Sequence, residues 1–145
     1  MNPSDFVGLR WRDRGRSEDG CDCWGLFRLA FEAGTGIALP AYADTYRTAA
    51  DRNETAQVMA AEVGDWRPID EGDERRFDAA VMIVQGRFHI GIIVQRGLML
   101  HMPFRGTSVI EPWARRYRLE RLYRHRRLLS ALPEQPERAA RPTAS

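Results

Sequence analysis

The sequence contains no lysine; all 22 of its basic side chains are arginine. Cysteine and histidine are scarce, limited to Cys21 and Cys23 and to His89, His101 and His125. No run approaches the about 18 consecutive apolar residues of a membrane span, so none is expected. The opening Met-Asn-Pro-Ser-Asp-Phe has neither a basic start nor an apolar stretch. The expectation is therefore a protein made in the cytoplasm without a signal peptide. Two cysteines one residue apart meet disulfide geometry poorly. They exclude a disulfide scaffold and leave at least one thiol to serve another purpose. There is no internal repeat and no low-complexity core.

What is present fits one domain: 145 residues, 43% hydrophobic and 29% charged. The net charge is only +2, but it is unevenly spread. Seven arginines lie between Arg115 and Arg127, opposed by Glu120 alone, whereas Asp51 to Asp78 carries nine acids against four arginines. We read the basic block as a solvated face, and nucleic acid is not expected as a partner. Pro133 to Ser145 holds three prolines and no aromatic residue. The expected organisation is a domain over 1–130 and a flexible tail over 131–145.

Residues 5–22 read as irregular. Trp24, Leu26, Phe27, Leu29, Ala30 and Phe31 then predict a buried helix, stopped by Gly34, Gly36 and Pro40. A second, amphipathic helix is expected from about Ala49 to Val63, and an acidic loop from Asp65 to Asp78. From Ala79 the period becomes two. Strands are expected at Ala79–Val84, through Phe88–Val94, through Leu98–Met102 and at Thr107–Ile110. Trp113 to Leu129 suits a helix, or a helical turn followed by a strand. The fold class is α+β, a buried helix followed by an antiparallel meander.

Cys23 sits where loop becomes helix. Unpaired N–H groups and the positive helix end favour thiolate there. A cysteine nucleophile also needs an imidazole to take its proton. His89 lies in mid-strand, with Gly91 leaving room on the same face. A three-residue Gln95-Arg96-Gly97 loop pairs Val94 with Leu98 and hence Gly91 with His101. That register puts His101 on the face of His89, about 7–8 Å away across the diagonal. A two-residue loop would place the two histidines on opposite faces. Cys23 is thus the candidate nucleophile, His89 the proton acceptor and His101 its orienting partner. The competing reading makes both cysteines small packed hydrophobes. A zinc site from Cys21, Cys23, His89 and His101 is disfavoured by ligand spacing. His125 is read as a surface residue.

Four segments, Gly-Arg-Ser-Glu-Asp-Gly-Cys-Asp-Cys-Trp-Gly-Leu (15–26), Phe-Asp-Ala-Ala-Val-Met (77–82), His-Ile-Gly-Ile-Ile-Val (89–94) and Met-Leu-His-Met (99–102), resemble the NlpC/P60 family of papain-like cysteine peptidases. They most resemble its short phage-type branch, which includes gene-transfer-agent proteins. The resemblance implies a circularly permuted papain-like fold, with the Cys-bearing helix packed on an antiparallel sheet. It implies hydrolysis of peptidoglycan stem peptides, typically between D-glutamate and diaminopimelate, without metal or cofactor. It assigns Cys23 as nucleophile, His89 as base and His101 as third residue, and Trp11, Asp22 and Trp24 are expected to contact substrate. Trp11 stands where the family commonly has tyrosine, and Arg14-Gly15 where it has a glycine pair, which would narrow or charge the cleft. No wall-binding repeat is present. Targeting is therefore expected from a larger assembly, with tail-tip or baseplate proteins as partners and a virion or gene-transfer-agent tail tip as location. The alternative is a structural tail-tip component with little catalysis. A more distant option is acyl-transfer or lipid-amide chemistry.

Overall fold

Asp22 starts the long helix. Its backbone is extended, and its carboxylate accepts from the Gly25 N–H at 2.8 Å, satisfying one orphaned donor of the first turn. In the computed structural model, which describes residues 2–41, 63–114 and 116–129, this helix (α1) spans Cys23–Thr35. It closes at Gly36, whose left-handed φ of 78° lets its N–H reach the Glu32 carbonyl. A short hairpin of β1 (Arg16–Ser17) and β2 (Gly20–Cys21) precedes it.

The rest is a six-stranded antiparallel sheet of β3 (Trp66–Ile69), β4 (Ala79–Val84), β5 (Arg87–Gln95), β6 (Leu98–His101), β7 (Val109–Pro112) and β8 (Arg118–His125), in the order β3-β8-β4-β5-β6-β7. A helical turn, α2 (Arg126–Leu129), follows. Side-chain alternation divides the sheet into two faces. Val81, Ile90, Ile92, Val94, Leu100 and Met102 pack on α1 through Trp24, Phe27 and Phe31. Ala80, Met82, Ile93, Met99 and Leu122 pack under Trp113. Both faces are covered, which is why β4 and β5 read as nearly continuous apolar runs.

The structure corrects several expectations. The acidic stretch from Asp65 contains strand β3, paired to β8 at the sheet edge, where Pro68 is tolerated. The strand expected at Thr107–Ile110 lies at Val109–Pro112. Beyond Trp113 the second of the two alternatives holds, a turn and then strand β8, with α2 following. His125 is not a surface residue: it is 4% exposed, with its ring 5.6 Å from that of Phe31 and 4.9 Å from that of Trp66. The helix expected over Ala49–Val63 falls outside the described residues, except for Val63, which begins a short 3-10 turn. The tail over 131–145 also lies outside them.

The β5–β6 hairpin has the expected register, Gly91 opposite His101, by a different route. Gln95 pairs with Leu98 around a two-residue Arg96-Gly97 turn, and the register shifts between Ile93 and Gln95. Val94 is therefore the extra residue of a β-bulge. That residue restores the parity that a two-residue turn alone would lose.

Asp78, just before β4, has a fully buried side chain. Its oxygens accept from Arg124 Nε at 2.8 Å and Nη2 at 2.7 Å, and from the Arg75 backbone N–H at 2.8 Å. Removing one partner strands a buried charge. Asp78→Ala should therefore lower unfolding free energy by about 3–5 kcal/mol. Urea unfolding tests this, with a double change to Asp78→Leu and Arg124→Met expected to recover much of the loss. Equal urea midpoints for wild type and Asp78→Ala would refute it.

Candidate active site

Cys23 is the first residue of α1 and is half-buried. Backbone N–H groups of Trp24 and Ile90 lie near enough to its sulfur to favour the thiolate. Ile90 lies just past the last β5–β6 pair, Gly91 with His101, so the sulfur meets β5 where β6 has ended. The N-terminal segment holds this junction. The Trp11 N–H donates to the Gly106 carbonyl, and the Arg12 N–H to that of Cys21, both at 3.0 Å. Buried Ser108 accepts from the Leu9 N–H at 2.8 Å and donates to the Phe6 carbonyl at 2.5 Å.

His89 and His101 share a sheet face, with His89 Nε2 2.8 Å from His101 Nδ1 and the rings at 83°. Gly91 makes this approach possible. A Cβ there would lie 2.8 Å from Met99 Sδ and 3.2 Å from His101 Cβ. His101, 1% exposed, places Nε2 2.6 Å from Glu111 Oε2. Tyr117 donates to the same oxygen at 2.8 Å, and Arg116 donates to Oε1 at 2.9 Å. One cleft is lined by Cys23, His89, His101, Trp11, Phe104 and Tyr117.

Burial dominates the electrostatics. It pushes the Cys23 thiol up to about 12, with Asp22 adding to the rise, and outweighs the two backbone N–H groups. In the free fold, burial thus opposes the thiolate preference expected from the helix start. Burial, with the neighbouring His101, drives His89 down to about 3. His101 is also lowered by burial, against the pull of Glu111. Burial raises Glu111, but hydrogen bonds from His101 and Tyr117 prevail and keep its carboxyl below the ordinary value.

The shifts of Cys23 and His89 both favour neutral groups in the fold. For His89, stability is present above the ordinary 6.5 and lost as pH falls toward about 3. For Cys23, it is present below 9.0 and lost as pH rises toward about 12. Denaturant midpoints should therefore peak between these limits. Midpoints still rising below pH 6.5 or above 9.0 would contradict these shifts.

The structure brings Cys23, His89, His101 and Trp11 to one cleft and leaves Asp22 and Trp24 out of it. Asp22 is fully buried, capping α1 and pairing with Arg16 at 2.8 Å. Trp24 is 5% exposed, stacks on Phe27 and donates through Nε1 to the Pro40 carbonyl at 3.0 Å. Both side chains are buried and do not line the cleft. Cys21, with no exposure, belongs to the core, so the two cysteines do not face the histidines together. Arg14 does not line the cleft either. It adopts a left-handed φ of 57°, the region where glycine is at ease.

Sequence reasoning missed Glu111, Tyr117 and Phe104. Glu111 sits opposite Met99 on β7, diagonal to His101 on the same face. Alternation carried from His101 into β7 is the signal that could have found it, but the intervening loop leaves the register open. Phe104 is 43% exposed, its ring 5.1 Å from that of Trp11, with the guanidinium carbons of Arg87 and Arg105 at 5.4 and 4.9 Å.

A sequence model of the NlpC/P60 family matches residues 8–127. Among solved structures, the NlpC/p60 domain of peptidoglycan hydrolase SagA is similar, with TM-score 0.56 and 14% identity over 84% of this chain and 92% of that one. NlpC1 from Trichomonas vaginalis has TM-score 0.59 and 15% identity over 85% of this chain and 41% of its own. An NLP/P60-family protein from Staphylococcus aureus subsp. aureus Mu50, described as similar to lipoprotein, has TM-score 0.59 and 16% identity over 85% of this chain and 38% of its own. The chain thus spans less than half of the last two proteins. No curated protein matches the sequence.

Proposed function

Because the chain belongs to the NlpC/P60 family, matched over residues 8–127, we propose that it is a cell-wall peptidase that hydrolyses peptidoglycan stem-peptide amides. The observation that carries this reading is a hydrogen-bonded histidine pair opening onto the same cleft as a cysteine at a helix start. The SagA domain, from a peptidoglycan hydrolase, shares the fold.

In this reading the Cys23 sulfur attacks the amide carbonyl carbon while His89 takes the thiol proton. The oxyanion meets the Cys23 backbone N–H. Collapse breaks the C–N bond, and the leaving amine takes the proton from His89, leaving a thioester. Water, deprotonated by His89, attacks the thioester and releases a carboxylate and the thiol. His101 holds the ring of His89 throughout. Both groups start neutral, so the proton moves as substrate fills the cleft.

The bond proposed is D-glutamyl-diaminopimelate, and the place of action is a phage or gene-transfer-agent tail tip, as the sequence resemblance implies. The rim supports an anionic substrate: among the described residues, no carboxylate pairs with Arg87 or Arg105, which flank exposed Phe104. Replacing both arginines by alanine should raise KM several-fold for stem peptides with free carboxylates and leave KM for amidated ones unchanged. Equal changes for both substrates would refute the rim's role. The peptidase reading is tested by digesting synthetic stem peptides with purified protein and separating the products.

The neutral resting thiol favours one second reading, a tail-tip structural component with little catalysis. Fixed stoichiometry in particles, with no peptide released, would support it.

A further inference from the structure

We propose that Glu111 is a positioning residue that, acting through His101, fixes which nitrogen of His89 is free to accept a proton. This rests on the peptidase reading and extends it two residues beyond the cysteine–histidine pair.

The argument is one of donors and acceptors. Glu111 Oε2 receives the Tyr117 hydroxyl at 2.8 Å and faces His101 Nε2 at 2.6 Å, while Oε1 receives Arg116 Nη1 at 2.9 Å. An ionised carboxylate can only accept, so the proton of neutral His101 sits on Nε2. Its Nδ1 then carries a lone pair, 2.8 Å from His89 Nε2. His89 must donate from Nε2, which leaves its Nδ1 bare. That atom is the one able to take the thiol proton. The network sets this tautomer.

Without the carboxylate the order can reverse. His101 can carry its proton on Nδ1 and donate to His89 Nε2. His89 then carries its own proton on Nδ1 and has nothing to accept with. Glu111 also places a negative charge behind His101 when His89 becomes imidazolium. Arg116 tempers that charge, and the Tyr117 ring stands edge-on to His101 at 5.2 Å, holding the ring plane.

The test combines nitrogen-15 NMR of histidine-labelled full-length protein with stem-peptide kinetics, for wild type, Glu111→Met and Glu111→Gln. The wild type should show His89 protonated at Nε2 with a bare Nδ1. Glu111→Met should show mixed tautomers, with kcat down about 10–100-fold, the range seen when the carboxylate behind a metal-ligating histidine is removed, and KM within twofold. Glu111→Gln should recover part of both, because an amide oxygen can still accept from His101. A purely structural role would lower the melting temperature but leave the tautomer and the kcat of folded protein unchanged. That result for Glu111→Met overturns the proposal. If this variant fails to fold, the wild-type spectrum decides: a His89 proton on Nδ1 overturns the proposal, and one on Nε2 sustains it. A wild type that cleaves no stem peptide removes the peptidase reading, while the tautomer assignment still stands or falls on the spectra.

Discussion

Cys23→Ala leaves stem-peptide hydrolysis about 10⁴-fold or more below wild type, with little change in melting temperature. The size follows from what the sulfur does. It forms the bond that splits one hard displacement into two easier ones, and loss of a triad nucleophile typically costs this much or more. No other side chain in the cleft substitutes for it. The Tyr117 hydroxyl is pushed up to about 12 by burial and by its bond to Glu111, and Cys21 is fully enclosed in the core. The fold should tolerate the change, because Asp22 rather than Cys23 caps α1. Chromatography of released peptides at matched protein concentration checks the rate, and circular dichroism checks the fold. Activity within tenfold of wild type would mean that another group attacks.

The second large effect concerns the thiol before substrate arrives. With Cys23 pushed up to about 12, its thiolate fraction at pH 7 lies about three-thousand-fold below that of an ordinary thiol of pKa about 8.5, so iodoacetamide should label it far more slowly. Labelling should then accelerate as pH climbs from 9 toward 12. A thiolate–imidazolium pair formed in advance gives the opposite profile, fast and nearly flat from acidic pH upward. Peptide mapping by mass spectrometry separates Cys23 from Cys21. Fast labelling of Cys23 at pH 6 would show that the pair ionises in the free protein and that burial does not control it. Slow labelling agrees with general-base transfer from thiol to His89 once a carbonyl occupies the cleft.

The histidine pair was legible because strand parity is a discrete quantity. Gly91 could oppose His101 or not, and the period of β5 and β6 left few registers. The turn was misread and the register still came out right, because the bulge at Val94 adds back the residue the turn omits. Helix α1 was legible from its apolar residues and its glycine stop. Asp22 and Trp24 do not line the cleft, because closeness in sequence to a nucleophile is not closeness to its cleft. Asp22 turns back to cap the helix, and one residue past Cys23 the helix already points into the core. Glu111 was out of reach because the loop between β6 and β7 fixes no register. His125 and β3 were misread for a related reason. A polar stretch becomes buried or paired when a distant aromatic such as Trp66 supplies its partner, and neither charge nor period records that.

The most direct measurement is mass spectrometry of peptides released from purified peptidoglycan by wild-type protein in water enriched with oxygen-18. We predict a new amino terminus at diaminopimelate, one heavy oxygen in the matching D-glutamate carboxylate, and a transient acyl adduct on the peptide containing Cys23. Stem peptides that stay intact, or an adduct on any other residue, would contradict the account.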